Sequence, residues 1–343
     1  MDRFATYQQL LRNSKFFKLV CGAGNENCEE VEELAFIYTL AGCKGFDISA
    51  NASIIEACKR GIDNAFELSS EHLKINDTRP IITVSVGMPG DHHVRKAYID
   101  PDKCIKCNLC IPTCPTDAIP ETLRIINNLC IGCGNCEAVC PPKFSAISYK
   151  HNSKELRKLL PQCIEAGAES IELHAGVADD NTTLNEWQIV SDCVPNGMVS
   201  MCLDRYHLTN VHLIDRIRLA KEIAGDRLII QADGIPMSGG TDDFNTTLQA
   251  IAIADIINKE LKVKDRQYKK LPILISGGTN SNTGNLARQC GVNFSGITIG
   301  THARSVIKPY IGKINYFENT QLLKNAVKKA NRLIYRNLSA TQQ

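Results

Sequence analysis

At 343 residues with 43% hydrophobic side chains, the chain can bury the core of one large domain or two. Its 39 basic and 37 acidic residues leave a formal charge of +2 (39 − 37), which argues against a nucleic-acid partner. The first residues, MDRFATYQQLLRNSKFF, lack a basic segment followed by an apolar run, and no apolar stretch approaches the ~20 residues of a membrane span. The expectation is a cytoplasmic protein, not integral to a membrane.

Taken in chain order, short β-branched runs that end in Gly, Asp or Ser predict strands at 17–21, 45–49, 81–86, 170–174, 198–203, 228–232, 273–276 and 296–299. Helical stretches separate them. Val31, Leu34, Ala35 and Tyr38 recur at i, i+3, i+4, i+7, and Ile214, Ile217, Ala220 and Ala224 hold a similar spacing. Strand–helix alternation implies a parallel sheet in an α/β fold. Eight repeats predict a closed (β/α)8 TIM-like barrel over 1–96 and 151–320, with a doubly wound open sheet as the alternative. After the first strand, Gly22-Ala23-Gly24-Asn25-Glu26-Asn27 lacks the third glycine of the dinucleotide fingerprint, and no Walker sequence occurs. The last segment, 321–343, reads as a basic helix with Lys324, Lys328, Lys329, Arg332 and Arg336. Leu323, Val327, Ala330, Ile334 and Leu338 would pack it on the barrel; the sharper alternative is an amphipathic helix meeting an acidic partner or membrane surface.

Eight of the sixteen cysteines fall in two tight runs between the third and fourth predicted strands. Cys104, Cys107, Cys110 and Cys114 precede Pro115, and Cys130, Cys133, Cys136 and Cys140 precede Pro141. Both runs read C-x2-C-x2-C-x3-C-P, the pattern of bacterial two-cluster ferredoxins, in which the fourth cysteine of each run ligates the other cluster. The segment 97–150 is therefore expected to be an inserted α+β 2[4Fe–4S] ferredoxin domain. Cys104, Cys107, Cys110 and Cys140 would hold one [4Fe–4S] cluster, and Cys130, Cys133, Cys136 and Cys114 the second. Gly132 and Gly134 suit a backbone held close to a cluster. Ile105, Ile111, Ile119, Ile125, Ile131 and Ile147 could exclude water. Structural zinc is the competing reading, since C-x2-C also binds zinc. The eight other cysteines, Cys21, Cys28, Cys43, Cys58, Cys163, Cys193, Cys202 and Cys290, are scattered and read mostly as small core residues.

The insert follows a strand and precedes a helix, which puts it on the face of a barrel where active sites form. Asp47, Ser85, His174, Asp204 and Asp233 should reach that mouth, with His174 and Asp233 the candidates for proton transfer. Gly277, Gly278 and Thr279 after the seventh strand, with Gly300 and Thr301 after the eighth, form a candidate phosphate site for a phosphorylated small molecule such as FMN. The alternative is that these glycines only turn the chain. Asp233-Gly234-Ile235-Pro236-Met237-Ser238-Gly239-Gly240 reads as a lid. Asp91-His92-His93 could bind a metal, although adjacent histidines are more often surface residues.

The segments KLVCGAG (18–24), YTLAG (38–42), VRKA (94–97), the two cysteine runs, DGIPMSGG (233–240), GGTN (277–280) and GITIGTHAR (296–304) resemble the cyanobacterial light-dependent period (LdpA) family. Members are iron–sulfur proteins of the circadian input pathway. The resemblance implies clusters at the eight named cysteines, sensing of cellular redox state, an influence on clock-associated proteins and a location in cyanobacterial cytosol or plastid stroma. Two other functions stand beside the sensor. One is an oxidoreductase whose clusters pass electrons to FMN or a substrate at the barrel mouth. The other is a plain electron carrier. Whether the chain is an enzyme is left open by the sequence.

Overall fold

The computed structural model describes residues 2–22, 26–72, 78–88, 96–127, 129–130, 132, 134–150, 156–235, 240–314 and 320–339. Helix α1 (Arg3–Arg12) comes first, started by Asp2, whose carboxylate accepts the Phe4 amide. There follow β1 (Phe16–Val20), α2 (Cys28–Leu40), β2 (Gly45–Ser49), α3 (Ala52–His72) and β3 (Ile81–Gly87). The chain then makes an excursion containing β4 (Lys96–Ile99), α4 (Asn135–Val139) and β5 (Ile147–Lys150). The alternation resumes with α5 (Leu156–Ala166), β6 (Ser170–His174), α6 (Asp180–Cys193), β7 (Val199–Leu203), α7 (Asn210–Ala224) and β8 (Leu228–Asp233). It ends with α8 (Leu248–Ile257), β9 (Ile273–Ser276), α9 (Thr283–Gln289), β10 (Gly296–Ile299), α10 (Thr301–Ile307) and α11 (Gln321–Leu338).

The barrel closes in the order β1-β2-β3-β6-β7-β8-β9-β10, with β10 returning to β1, and every pair is parallel. The eight expected strands are all present, with ends within a residue of those read from the sequence. Their near-continuous apolar runs follow from burial on both faces, by helices outside and by facing strands inside. Strands β6, β7 and β8 are buried at every position.

A feature the sequence reading did not separate from the barrel closes its bottom. Tyr7 and Leu11 of α1 pack with Phe16, Ile81, Met198, Ile229 and Leu274 at the starts of the strands. Arg3 fixes this plug through two contacts to the Glu169 carboxylate, at 2.6 and 2.7 Å, and through the carbonyls of Arg79 and Pro80. On the outer wall, α2 and α3 cross closely at Gly61, where a Cβ would lie 2.2 Å from the Glu32 carbonyl oxygen. Helix α11 lies against α2, α9 and α10, burying Leu323, Ala326, Ala330, Leu333 and Ile334.

The excursion has its own small core of Ala97, Ile99, Ala118, Ile119, Cys130, Cys136 and Ile147. Its first and last strands pair antiparallel, Lys96 opposite Lys150 and Ile99 opposite Ile147. The chain therefore returns to where it left, as an insert in a closed barrel must. Among the described residues, no helix is long and apolar enough to cross a membrane.

Candidate functional site

Two voids open inside the insert. One is lined by Cys104, Cys107, Cys110 and Cys140, the other by Cys114, Cys130 and Cys136. Cys133 and Ile131 lie outside the described residues. Each void thus takes one cysteine from the far end of the other run. Local backbone shape makes this possible. Lys106 (φ 55°), Asn108 (φ 61°), Gly132 (φ 67°) and Gly134 (φ 88°) adopt the left-handed region, which curls each run around its void. Amides point at sulfur: Lys106 N–H donates to Cys104 Sγ at 3.4 Å, Ala118 N–H to Cys114 Sγ at 3.2 Å, and Ala97 N–H to Cys130 Sγ at 3.4 Å. Hydrogen bonds to ligating sulfur are one of the levers that set the potential of a bound cluster.

The spread of the thiols separates an iron–sulfur cubane from a single ion. Tetrahedral zinc with Zn–S of ~2.3 Å brings its sulfurs to ~3.8 Å from one another. Among the described residues, no three of these cysteines hold their Sγ atoms within 4.8 Å of one another. Yet Cys110 feels Cys104, Cys107 and Cys140 together: burial pushes its thiol up, and those three sulfurs add to the rise. Four thiols that converge on one void without closing on one another suit a multi-iron cluster.

The two voids differ in exposure. Cys130 and Cys136 are each 7% exposed, whereas Cys107 is an exposed residue. Ile105 is 50% exposed, so it does not exclude water as the sequence suggested; Leu109, 51% exposed, lies beside it. Of the other isoleucines, Ile119 and Ile147 are buried, while Ile111 and Ile125 are half-buried. The loop 104–110 bulges around its void, and nothing described covers its outer side.

A second constellation fills the barrel lumen. Lys18 of β1 reaches Asp47 Oδ2 at 2.8 Å and Glu172 Oε2 at 2.7 Å. Because β1 and β6 are three strands apart around the ring, these side chains meet inside it. Ser200 donates to Glu172 Oε2 at 2.8 Å, Gln231 Nε2 donates to Glu172 Oε1 at 2.6 Å, and Thr298 donates to Gln231 Oε1 at 3.1 Å. Ser85 donates to Asp47 Oδ1. Burial works against the charge on Lys18, but Asp47 and Glu172 hold its pKa above the ordinary lysine value. Burial pushes Glu172 up to about 7, Lys18 pulls it down, and Asp47 adds to the rise. Lys18, Glu172, Ser200, Gln231 and Thr298 were not singled out from the sequence. Their signal was available: a charge in the middle of an apolar strand run stays buried only with a partner.

Of the residues expected at the mouth, Asp47 and Ser85 belong to this network. His174 ends β6, with Nε2 at 3.5 Å from Glu172 Oε1. Asp233 ends β8 and is buried, with Oδ1 2.5 Å from where a Cβ on Gly277 would stand. Asp204 accepts the Tyr206 amide at 2.7 Å and packs against Gly176. Gly277 (φ 71°) and Gly278 (φ 64°) both need the left-handed region. Gly277 also has the Gly234 backbone where a side chain would go. Thr279 turns its hydroxyl inward to the Thr298 carbonyl at 2.6 Å, and Gly300 precedes Thr301 at the start of the short α10. The positive φ values of Gly277 and Gly278 and the close approach at Gly277 require glycine for the turn itself. Asp91, His92 and His93, and 236–239 of the expected lid, lie outside the described residues. Among the scattered cysteines, Cys21, Cys43, Cys58, Cys163 and Cys202 are buried, Cys28 and Cys193 are half-buried, and Cys290 is exposed rather than in the core.

Comparison with known proteins agrees with this arrangement. A family model described as the light dependent period A C-terminal domain matches residues 163–336, about half of the chain, and a 4Fe-4S dicluster domain matches residues 97–148. Light dependent period A of Synechococcus elongatus is 29% identical over 278 residues, spanning 80% of this chain and 74% of that protein. The NADH-dependent phenylglyoxylate dehydrogenase subunit delta of Aromatoleum evansii is 38% identical over 74 residues, 20% of this chain and 80% of that one. Among solved structures, the YdjI aldolase of Escherichia coli K12 is similar with a TM-score of 0.46 and 9% identity, covering 95% of this chain and 92% of that one. A 4Fe-4S dicluster insert carried on a barrel whose second half matches the family model makes this chain an iron–sulfur protein, and it belongs to the light dependent period A family.

Proposed function

We propose that the chain holds two [4Fe–4S] clusters and serves as a redox sensor in light input to the circadian clock. Cys104, Cys107, Cys110 and Cys140 hold one cluster; Cys130, Cys133, Cys136 and Cys114 hold the other. The observation that carries this reading is the exchange of the fourth cysteine, Cys140 lining the first void and Cys114 the second. Bound clusters supply reversible one-electron transfer, at potentials set by their surroundings. The protein's part is to hold thiolates, donate amides to sulfur and control water. The surface-exposed Cys107, beside Ile105 and Leu109, is the port at which a redox partner exchanges electrons. The buried Cys130–Cys136 side faces the insert's own core.

Sensing is favoured over catalysis because Lys18 is tied to Asp47 and Glu172 rather than presented to a substrate. The clock-associated partner comes from the family resemblance, and a reducing cytosol or plastid stroma suits thiolate-held clusters. Iron and acid-labile sulfide counting with cofactor mass spectrometry, on protein purified anaerobically, tests the reading. About eight irons and eight sulfides per chain are expected. Half that iron would remove the second cluster. Stoichiometric FMN released on heating would favour the oxidoreductase instead.

A further inference from the structure

Above the Lys18 layer, the lumen gathers three residues that bind transition metals well. Glu172 and His174 are two apart on β6, so both face inward, and His174 is the direct register partner of Cys202 on β7. The carboxylate, imidazole and thiol atoms all lie within 4.8 Å of one another, and all three residues are buried. We propose that Glu172, His174 and Cys202 bind a divalent cation of the zinc class in the upper lumen of the barrel, a site separate from the cysteine runs.

The geometry and chemistry fit such an ion. Tetrahedral zinc with N and O ligands at ~2.0–2.2 Å sets those atoms ~3.3–3.5 Å apart. His174 Nε2 and Glu172 Oε1 are 3.5 Å apart, long for a hydrogen bond and right for the edge of a coordination tetrahedron. Glu172 divides its oxygens: Oε2 is held by Lys18 and Ser200, while Oε1 accepts from Gln231 and faces His174. A thiolate, an imidazole and a carboxylate form the mixed, borderline-soft donor set that zinc takes and magnesium or calcium does not.

Charge points the same way. Among the described residues of this network, Lys18 is the one cation set against two carboxylates, Asp47 and Glu172. A divalent cation with the Cys202 thiolate adds one net positive charge, which balances the buried cluster. Gln231 completes the site. Its Nε2 now donates to Glu172 Oε1 at 2.6 Å and to Cys202 Sγ at 3.6 Å. Rotating the amide would aim its oxygen at the cation, with the Thr298 hydroxyl switching from donor to acceptor. Gln231 or a water then fills the fourth position.

The test uses the full chain with its iron–sulfur content intact, stripped of loosely held metal by a mild chelator and dialysed anaerobically against zinc chloride. One zinc per chain is expected beyond the cluster iron. Zinc-edge X-ray absorption should show one sulfur at ~2.3 Å among nitrogen and oxygen ligands. Cys202→Ser and His174→Gln should each weaken zinc binding at least ~10-fold, with iron and sulfide unchanged. Absence of zinc uptake, unchanged affinity in both variants, or an all-sulfur zinc environment, which would mean the ion sits in the cysteine runs, overturns the proposal. Should a variant fold poorly, the absorption spectrum of the unaltered chain decides alone.

Discussion

Cys140 is remote in sequence from Cys104, Cys107 and Cys110, yet it lines their void. That single placement has a measurable consequence. Cys140→Ser should abolish the cluster of the first run while leaving about half the iron, and Cys114→Ser should abolish the other. Paramagnetic resonance of the reduced variants distinguishes the two signals; if Cys140→Ser and Cys130→Ser remove the same one, the exchange is wrong. In the lumen, Lys18→Met leaves Asp47 and Glu172 buried without their cation. Its cost should be about 3–5 kcal/mol, read from the denaturant midpoint, and Glu172→Gln in the same chain should recover part of it. Glu172 also sets a pH dependence. With its folded pKa raised to about 7 from 4.5, the folded state keeps a proton that the unfolded state has released. Stability from this group is full below pH 4.5 and falls as pH rises toward 7. With chelator present, Glu172→Gln should flatten that slope in equilibrium unfolding; an unchanged slope would assign it to another group.

Elements meet closely where glycine permits. Gly284 of α9 lies under α11, and a Cβ there would stand 2.0 Å from the Asn337 carbonyl oxygen. Asn337 reinforces the contact, its Oδ1 accepting the Gly284 amide at 2.9 Å and its Nδ2 donating to the Asn280 carbonyl at 3.2 Å. Gly284→Ala must push α11 outward, at a cost of ~1–3 kcal/mol in thermal unfolding. An unchanged midpoint would mean that α11 adds little to the barrel. The apolar stripe of α11 was legible because Leu323, Ala330 and Ile334 recur at helical spacing. The fit of Asn337 was not, because a buried asparagine looks like a surface residue until its partners are in place. Helix α1 was illegible for a related reason: Tyr7 and Leu11 have no meaning without the ring of strand starts they cap.

At the scale of the whole molecule, the insert leaves and re-enters the barrel at one place, so it should be removable. Lys96 and Lys150 are opposite partners on antiparallel strands, so their Cα atoms are ~4.5–5.5 Å apart. Replacing residues 97–149 by a two-glycine link should leave the barrel folded, with a thermal midpoint within a few degrees and no iron or sulfide. An insoluble or molten product would show that the barrel depends on the insert.

The cysteine spacing and the eight apolar runs are local patterns, and local patterns survive in a sequence read without its fold. Thus 97–150 announced thiolate-held clusters, and the strand rhythm announced a barrel. Closing the ring is what brought Lys18, 154 residues away in the chain, against Glu172, and register is what set His174 beside Cys202. Those contacts depend on curvature and strand alignment, quantities fixed only when every strand has found its neighbour.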